Sequence, residues 1–328
     1  MRAVVPEYDL ANFEYQHRNR GIHEVNFVLI YVCNIKKDNN TAMEIQKTTG
    51  TLYLCATPIG NLEDITYRVV RILSEVDLIA AEDTRNSMKL LTHFDIHTPM
   101  TSYHEFNKYD KAVELVSILR SGKDIALITD AGTPGISDPG EVLVKMCLEE
   151  NIPVTSLPGA CAAVTALTMS GQSTRRFAFE AFIPGEKRER KRIFENLKNE
   201  TRTIVIYEAP HHLVKTLNDL YETLGDRSIS LCRELTKKHE ETIKTTISEV
   251  LNYYKDNEPR GEYVLVIEGR SFEDIESDKQ KAFDEISIEE HVKQYEDTGM
   301  DRKEAMRCVA KDRGISRREV YNSLLGGE

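Results

Sequence analysis

The sequence has no two cysteines close enough for a Cys-x-x-Cys pair, and none of its six cysteines stands with histidines at zinc-binding spacing. Cys33, Cys55, Cys147, Cys161, Cys232 and Cys308 are scattered and mostly flanked by apolar residues. That fits a reducing, cytoplasmic setting and gives no metal site. Long apolar runs are missing as well. The longest, Phe27 to Cys33, is far too short to span a bilayer, and it lies too deep in the chain to read as a secretion signal. Excess positive charge is also absent. A net charge of −11 excludes a protein that coats nucleic acid with its whole surface and leaves only local basic patches to consider.

A chain of 328 residues has room for two core domains and additions. Residues 1–49 read as a poorly ordered N-terminal extension with one strand-like run, FVLIYVC. From Thr51 the pattern becomes regular. TLYLCAT, DLIAAED, DIALITD and PVTSLPG read as strands, and ITYRVVRILSEV, KAVELVSILRSG and DPGEVLVKMCLEEN as helices between them. Strands alternating with helices predict a mostly parallel sheet covered on both faces, so the fold class is α/β. The first α/β domain is expected over residues 50–171. A second, with some antiparallel content, is expected over 172–271, an acidic linker over 272–286 and a helical tail over 287–328.

The most informative stretch is ALITDAGTPGISDPGEVLV, residues 126–144. A buried strand runs into a Gly/Pro loop and then into a helix, the place where open α/β sheets bind ligands. Asp138-Pro139-Gly140-Glu141 supplies a cap, a first-turn proline and an early acid. The loop lacks the lysine and the glycine order of phosphate-binding loops, and it carries aspartates instead. It suits a neutral or cationic ligand. Two further turns end strands of the same sheet, Pro58-Ile59-Gly60-Asn61 and Pro158-Gly159-Ala160, and all three can line one crevice.

The segments ATPIGNLEDIT, LIAAEDTR, SYHEFN, DAGTPGISDPG, SLPGACA, FEAFIP, IYEAPHHL and CRELTKKHEE occur in that order. Together, over roughly residues 50–270, they resemble the ribosomal RNA small subunit methyltransferase I family, of the tetrapyrrole-methylase-like class of S-adenosylmethionine enzymes. The resemblance implies two α/β domains with the cofactor between them. It also implies a homodimer and 2′-O-methylation of a cytidine ribose in the decoding region of small-subunit ribosomal RNA, free or in the 30S subunit. Carried over, the cofactor-facing residues are Pro58, Asp130, Ala131, Thr133, Pro134, Ile136, Pro158, Gly159, Ala160, Cys161, Phe182, Tyr207 and Glu208. The chain departs from the commoner pattern with Ala160-Cys161 in place of Pro-Ser and His212 in place of Arg.

Ribose methylation needs a group to take a hydroxyl proton and needs no metal. Candidates are Glu82, Asp83 and His104, with Glu105 placed to orient or charge His104. An Asp83–Arg85 or Glu82–Arg85 ion pair that braces the loops is the competing reading. Asn61, Arg85 and Glu105 are candidate RNA contacts. The basic run Lys187, Arg188, Arg190, Lys191, Arg192 follows a turn beside the expected crevice and offers phosphate contacts, and Arg233, Lys237, Lys238 and His239 form a second cluster. His211-His212 is not a metal pair, because helix neighbours point about 100° apart. In the tail, Ser316-Arg317-Arg318-Glu319 is a capping box opening a second helix, with Arg313, Arg317 and Arg318 near its start, as in a helix-turn-helix. Two rival readings remain: a methylase of a small tetrapyrrole, and a non-enzymatic nucleic-acid-binding regulator.

Overall fold

The computed structural model describes residues 49–325, so the extension expected over residues 1–49 lies outside the described residues except for Thr49. The first lobe holds β1 (Leu52–Cys55), α1 (Tyr67–Glu75), β2 (Leu78–Ala81), α2 (Thr84–His93), β3 (Met100–Ser102), α3 (Lys108–Arg120), β4 (Ile125–Ile128), α4 (Gly140–Glu149) and β5 (Val154–Leu157). Its five strands are all parallel, in the order β3-β2-β4-β1-β5. Alternation along each strand decides which face a residue covers. Leu52, Leu54, Ile125 and Leu127 pack with α3 and α4, while Cys55, Ala126 and Ile128 pack with α1 and α2. Both faces are therefore dry, as a parallel sheet requires. Gly122, just past α3, takes a positive φ of 90° and ends that helix as the sequence predicts.

The second lobe follows α5 (Ala162–Met169). It comprises β6 (Phe177–Phe182), α6 (Lys187–Leu197), β7 (Thr203–Glu208), α7 (Pro210–Leu224), β8 (Ser228–Arg233), β9 (Glu241–Thr246), α8 (Ile247–Tyr253) and β10 (Tyr263–Ile267). The strand order is β6-β7-β10-β8-β9; only β6 and β7 run parallel. One face of this sheet is covered by α6, α7 and α8. The other receives α5, whose Ala163, Ala166 and Leu167 pack on Val205, Val264 and Val266. Pro210 opens α7 at its first turn, where a missing N–H costs nothing.

Residues 272–286, expected as a linker, are largely helical: α9 (Phe272–Asp284) is capped by Ser271. Its acidic residues are exposed, and helix rather than coil forms because the cap and the first-turn acids suit a helix start. The tail folds into α10 (Ile288–Asp297), α11 (Arg302–Asp312) and α12 (Arg317–Leu325) around Val292, Ala305, Val309, Ala310 and Val320. The expected capping box is present, with reciprocal Ser316–Glu319 bonds of 2.7 and 3.2 Å. Arg317 and Arg318 are exposed. Arg313 is not free: its guanidinium donates to His291 Nδ1 and to the Ile286 and Ser287 carbonyls. Burial holds His291 below the usual histidine range, so it suits the role of neutral acceptor.

The basic run on α6 divides by helical phase. Lys187, Arg188, Lys191 and Arg192 are exposed, but Arg190 points inward with 5% of its surface accessible. Its guanidinium meets Asp219 at 2.5 Å and Thr216 at 2.8 Å and lies over the Phe194 ring. Arg190 is therefore corrected from an RNA contact to an internal brace. Removing one partner of a buried pair strands the other charge. Arg190→Ala should lower the unfolding free energy by about 3 kcal/mol, whereas Lys191→Ala should change it by less than about 0.5 kcal/mol, measured by denaturant unfolding.

Candidate active site

Because β4 lies between β1 and β2, the loops leaving the C-terminal ends of these three strands are neighbours. They line a crevice of about 410 Å³ together with residues of the second lobe. The β4 loop is pinned at three places. Thr57 and Gly132 exchange backbone bonds of 2.9 and 3.0 Å, and Gly132 takes a φ of +87° that a side chain would resist. The Asp138 carboxylate accepts the Gly135 N–H at 2.8 Å and the Gly140 N–H at 2.7 Å. It caps α4 from one position earlier than the sequence suggests, since Pro139 is the residue that precedes the helix. Thr133 donates to the Ala160 carbonyl at 2.9 Å, tying this loop to the turn after β5.

The second lobe contributes an aromatic wall. A register shift between Phe179 and Phe182, with Ala181 at a φ of 53°, turns Phe182 toward Tyr207 at 5.4 Å between ring centroids. The Tyr207 hydroxyl accepts the Ala163 N–H at 3.0 Å, and burial pushes its pKa up to about 12. Glu208 is buried; its carboxylate accepts the Ala209 N–H at 2.8 Å and the Thr216 hydroxyl. Ser137, Ala181, Glu234 and Thr236 are non-glycine residues with positive φ, all at or beside the crevice, a concentration of strain typical of functional sites.

The charges lining the crevice are five carboxylates, Glu82, Asp130, Asp138, Glu208 and Glu262, and one cation, Lys237. Lys237 is committed to Glu234 and Glu262 at 2.9 Å each. A methyl on Gly60 would lie 2.4 Å from the Lys237 Cγ, so that glycine lets the turn after β1 reach the second lobe. Such a crevice repels a polyphosphate and accepts a cation with an uncharged body.

Of the expected cofactor-facing residues, Asp130, Ala131, Thr133, Ile136, Cys161, Phe182, Tyr207 and Glu208 line the crevice. Pro134, Pro158, Gly159 and Ala160 do not line it, and Pro58 lines a neighbouring smaller cavity. Gly159 instead packs on the end of β1, where a methyl would come 2.5 Å from the Ala56 Cβ. Leu235, Glu262 and Tyr263 line the crevice and were given no role from the sequence: Leu235 lies inside CRELTKKHEE, and Glu262 and Tyr263 stand at the start of β10, while Lys237, read as part of a basic cluster, lines the crevice paired with Glu234 and Glu262.

The expected catalytic residues separate. Glu82 lines the crevice and accepts the Thr129 hydroxyl at 2.5 Å. Asp83 caps α2 and is paired with Arg85 at 2.7 Å, which is the bracing arrangement. His104 does not line the crevice; its Nδ1 is buried without a hydrogen-bond partner among the described residues. Glu105 pairs with Lys108 at 2.5 Å. Asn61 caps the 3-10 turn Leu62–Asp64 through the Glu63 N–H at 3.1 Å. Asp130 is held by the Asp83 N–H at 3.2 Å, and burial raises its carboxyl above the usual carboxylate range. The His211 and His212 rings lie 4.2 Å apart with their planes tilted by 48°, and no metal-holding group of three or more His, Cys, Asp or Glu exists among the described residues.

Residues 51–251 match the family model of tetrapyrrole (corrin/porphyrin) methylases. The fold is shared with a crystal structure of diphthine synthase (TM-score 0.54, 12% identity, 68% of this chain and 91% of that one). It is shared too with a cobalt precorrin-4 methyltransferase (TM-score 0.50, 16% identity, 66% of this chain and 94% of that one). The chain is a member of the tetrapyrrole methylase family and, within it, of the ribosomal RNA small subunit methyltransferase I group. Proteins of that name from Bacillus subtilis and Halalkalibacterium halodurans are 47% and 46% identical over 274 and 273 residues, covering 84% and 83% of this chain and 94% of each relative. One from Synechocystis is 46% identical over 277 residues, covering 84% of this chain and 98% of the relative.

The Arg85 hydrogen bonds hold the Asp83 carboxyl down to about 2. Its contribution to stability is therefore present above the ordinary carboxylate value and lost as pH falls toward about 2. A carboxyl-carbon NMR titration should show Asp83 titrating near 2 and Asp130 above the ordinary range, and Arg85→Ala should return Asp83 toward its usual value.

Proposed function

We propose that this protein methylates a cytidine ribose 2′-hydroxyl in the decoding region of small-subunit ribosomal RNA, using S-adenosylmethionine, as a cytoplasmic homodimer. The crevice charge carries the reading: five carboxylates and an already paired lysine suit a phosphate-free, cationic donor. The names of the relatives support ribosomal RNA as the substrate.

When bound, S-adenosylmethionine supplies an electrophilic methyl group on a sulfonium sulfur. Ala131, Thr133, Ile136, Cys161, Phe182, Tyr207 and Glu208 would hold it. Phe182 and Tyr207 offer aromatic faces to a flat ring or a cation, and the backbone of the β4 loop offers donors and acceptors to a ribose. Asp130 takes the proton from the acceptor hydroxyl. Its raised pKa makes it a better base than the Arg85-bound Asp83, and Glu82 fixes the Thr129–Asp130 backbone behind it. Lys187, Arg188, Lys191 and Arg192 on α6, with Arg317 and Arg318 on α12, supply exposed positive charge for RNA phosphates.

Labelled methyl groups should pass to 30S subunits and appear as a new 2′-O-methyl mark, and not pass to a porphyrin precursor. A label confined to the porphyrin would overturn the substrate assignment. Asp130→Asn should lower kcat by about 100-fold or more. In the unsubstituted protein the rate should rise with pH across the raised pKa of Asp130, and the substitution should remove that limb of the profile. An unchanged limb would exclude Asp130 as the base.

A further inference from the structure

A second cavity, of about 260 Å³, opens beside the crevice between the turn after β1 and the face of α2. It shares Thr129 and Asp130 with the crevice, so one carboxylate stands in the wall common to both. Its other walls differ in kind. Pro58 and Leu62 form an apolar side, and Leu62 is 41% exposed although it is large and hydrophobic. Asn86 and Lys89 line the opposite side, one helical turn apart on α2 and so on the same face. Asn86 Nδ2 reaches Asp130 Oδ2 at only 3.4 Å, a long bond that a better partner can replace.

The charges in the two cavities are complementary. The crevice lysine is neutralised by two carboxylates. Lys89 has no ion-pair partner among the described residues, and no carboxylate other than Asp130 lines its cavity. A phosphate-bearing ligand is therefore disfavoured in the crevice and favoured next door. The volume falls just below the range of about 300–1,000 Å³ that drug-sized ligands occupy, so the cavity suits one nucleoside rather than a macrocycle.

We infer that this second cavity seats the acceptor nucleotide, with its base against Pro58 and Leu62, its polar edge to Asn86 and its phosphate at Lys89. The sugar then lies at the shared wall, next to Asp130. This rests on the reading of the protein as a ribose methyltransferase and adds the place where the acceptor binds. Asn61, the residue the sequence offers for that contact, is occupied by its own turn; Asn86 and Lys89 replace it.

The test uses the full chain and cytidine 5′-monophosphate as probe, with no methyl donor present. In NMR titrations the nucleotide should shift Asn86 and Lys89 resonances saturably, and Lys89→Ala should weaken this binding about tenfold, with Lys89→Arg restoring most of it. Affinity for S-adenosylhomocysteine, read by calorimetry, should stay within about twofold in the Lys89 variants, since Lys89 lies outside the crevice lining. With 30S subunits, Lys89→Ala and Asn86→Ala should raise KM more than they lower kcat. Shifts confined to α6 or the crevice, or an unchanged KM in both variants, would overturn the assignment while leaving ribose methylation intact. A wild-type protein that places no methyl on ribose would instead overturn the functional reading, whatever the nucleotide titration shows.

Discussion

The whole arrangement depends on one short helix packing against a sheet it does not belong to. α5 follows directly from the last strand of the first sheet, yet its buried face of Ala163, Ala166 and Leu167 lies on Val205, Val264 and Val266 of the second. Small residues let the helix backbone come close, and the Ala163 N–H reaches the Tyr207 hydroxyl. Through that contact Cys161, at the start of α5, and Tyr207, near the end of β7, become adjacent walls of the crevice. A bulky residue on this face would separate the lobes and dismantle a site that neither sheet can form alone.

The distribution of charge follows from what each surface has to do. Carboxylates line the crevice, where several of them are spent on structure: Asp138 holds the loop, Glu208 sits under α7, and Glu82 anchors the strand end. Positive charge is placed outside, on α2, on the outward face of α6 and at the start of α12. A net charge of −11 disfavours indiscriminate contact with nucleic acid and leaves these patches as local exceptions.

Much of this was legible in the sequence, and the gaps have physical causes. The parallel sheet was readable because its strands are continuous apolar runs separated by amphipathic helices, and the β4 loop because glycine, proline and aspartate mark it. The tail's capping box, being local, was equally plain. What could not be read was direction. Arg190 sits in a run of basic residues, and only helical phase against α7 shows that it is buried. Asp83 and His104 share short motifs with Glu82 and Glu105, but the crevice admits Glu82 alone of the four. Leu235, Glu262 and Tyr263 reach the site from just past β8 and from the start of β10, and only the pairing of those two strands brings them together.

The left-handed backbone at Ser137, Ala181, Glu234 and Thr236 has a consequence for how a ligand is received. Each such residue costs roughly 1–3 kcal/mol, and that cost is met once, when the chain folds. A molecule entering the crevice finds walls already bent to shape and need not freeze mobile loops to be held. Its residence is then governed by fit, and the ordering penalty that weakens many binding events is small from the outset.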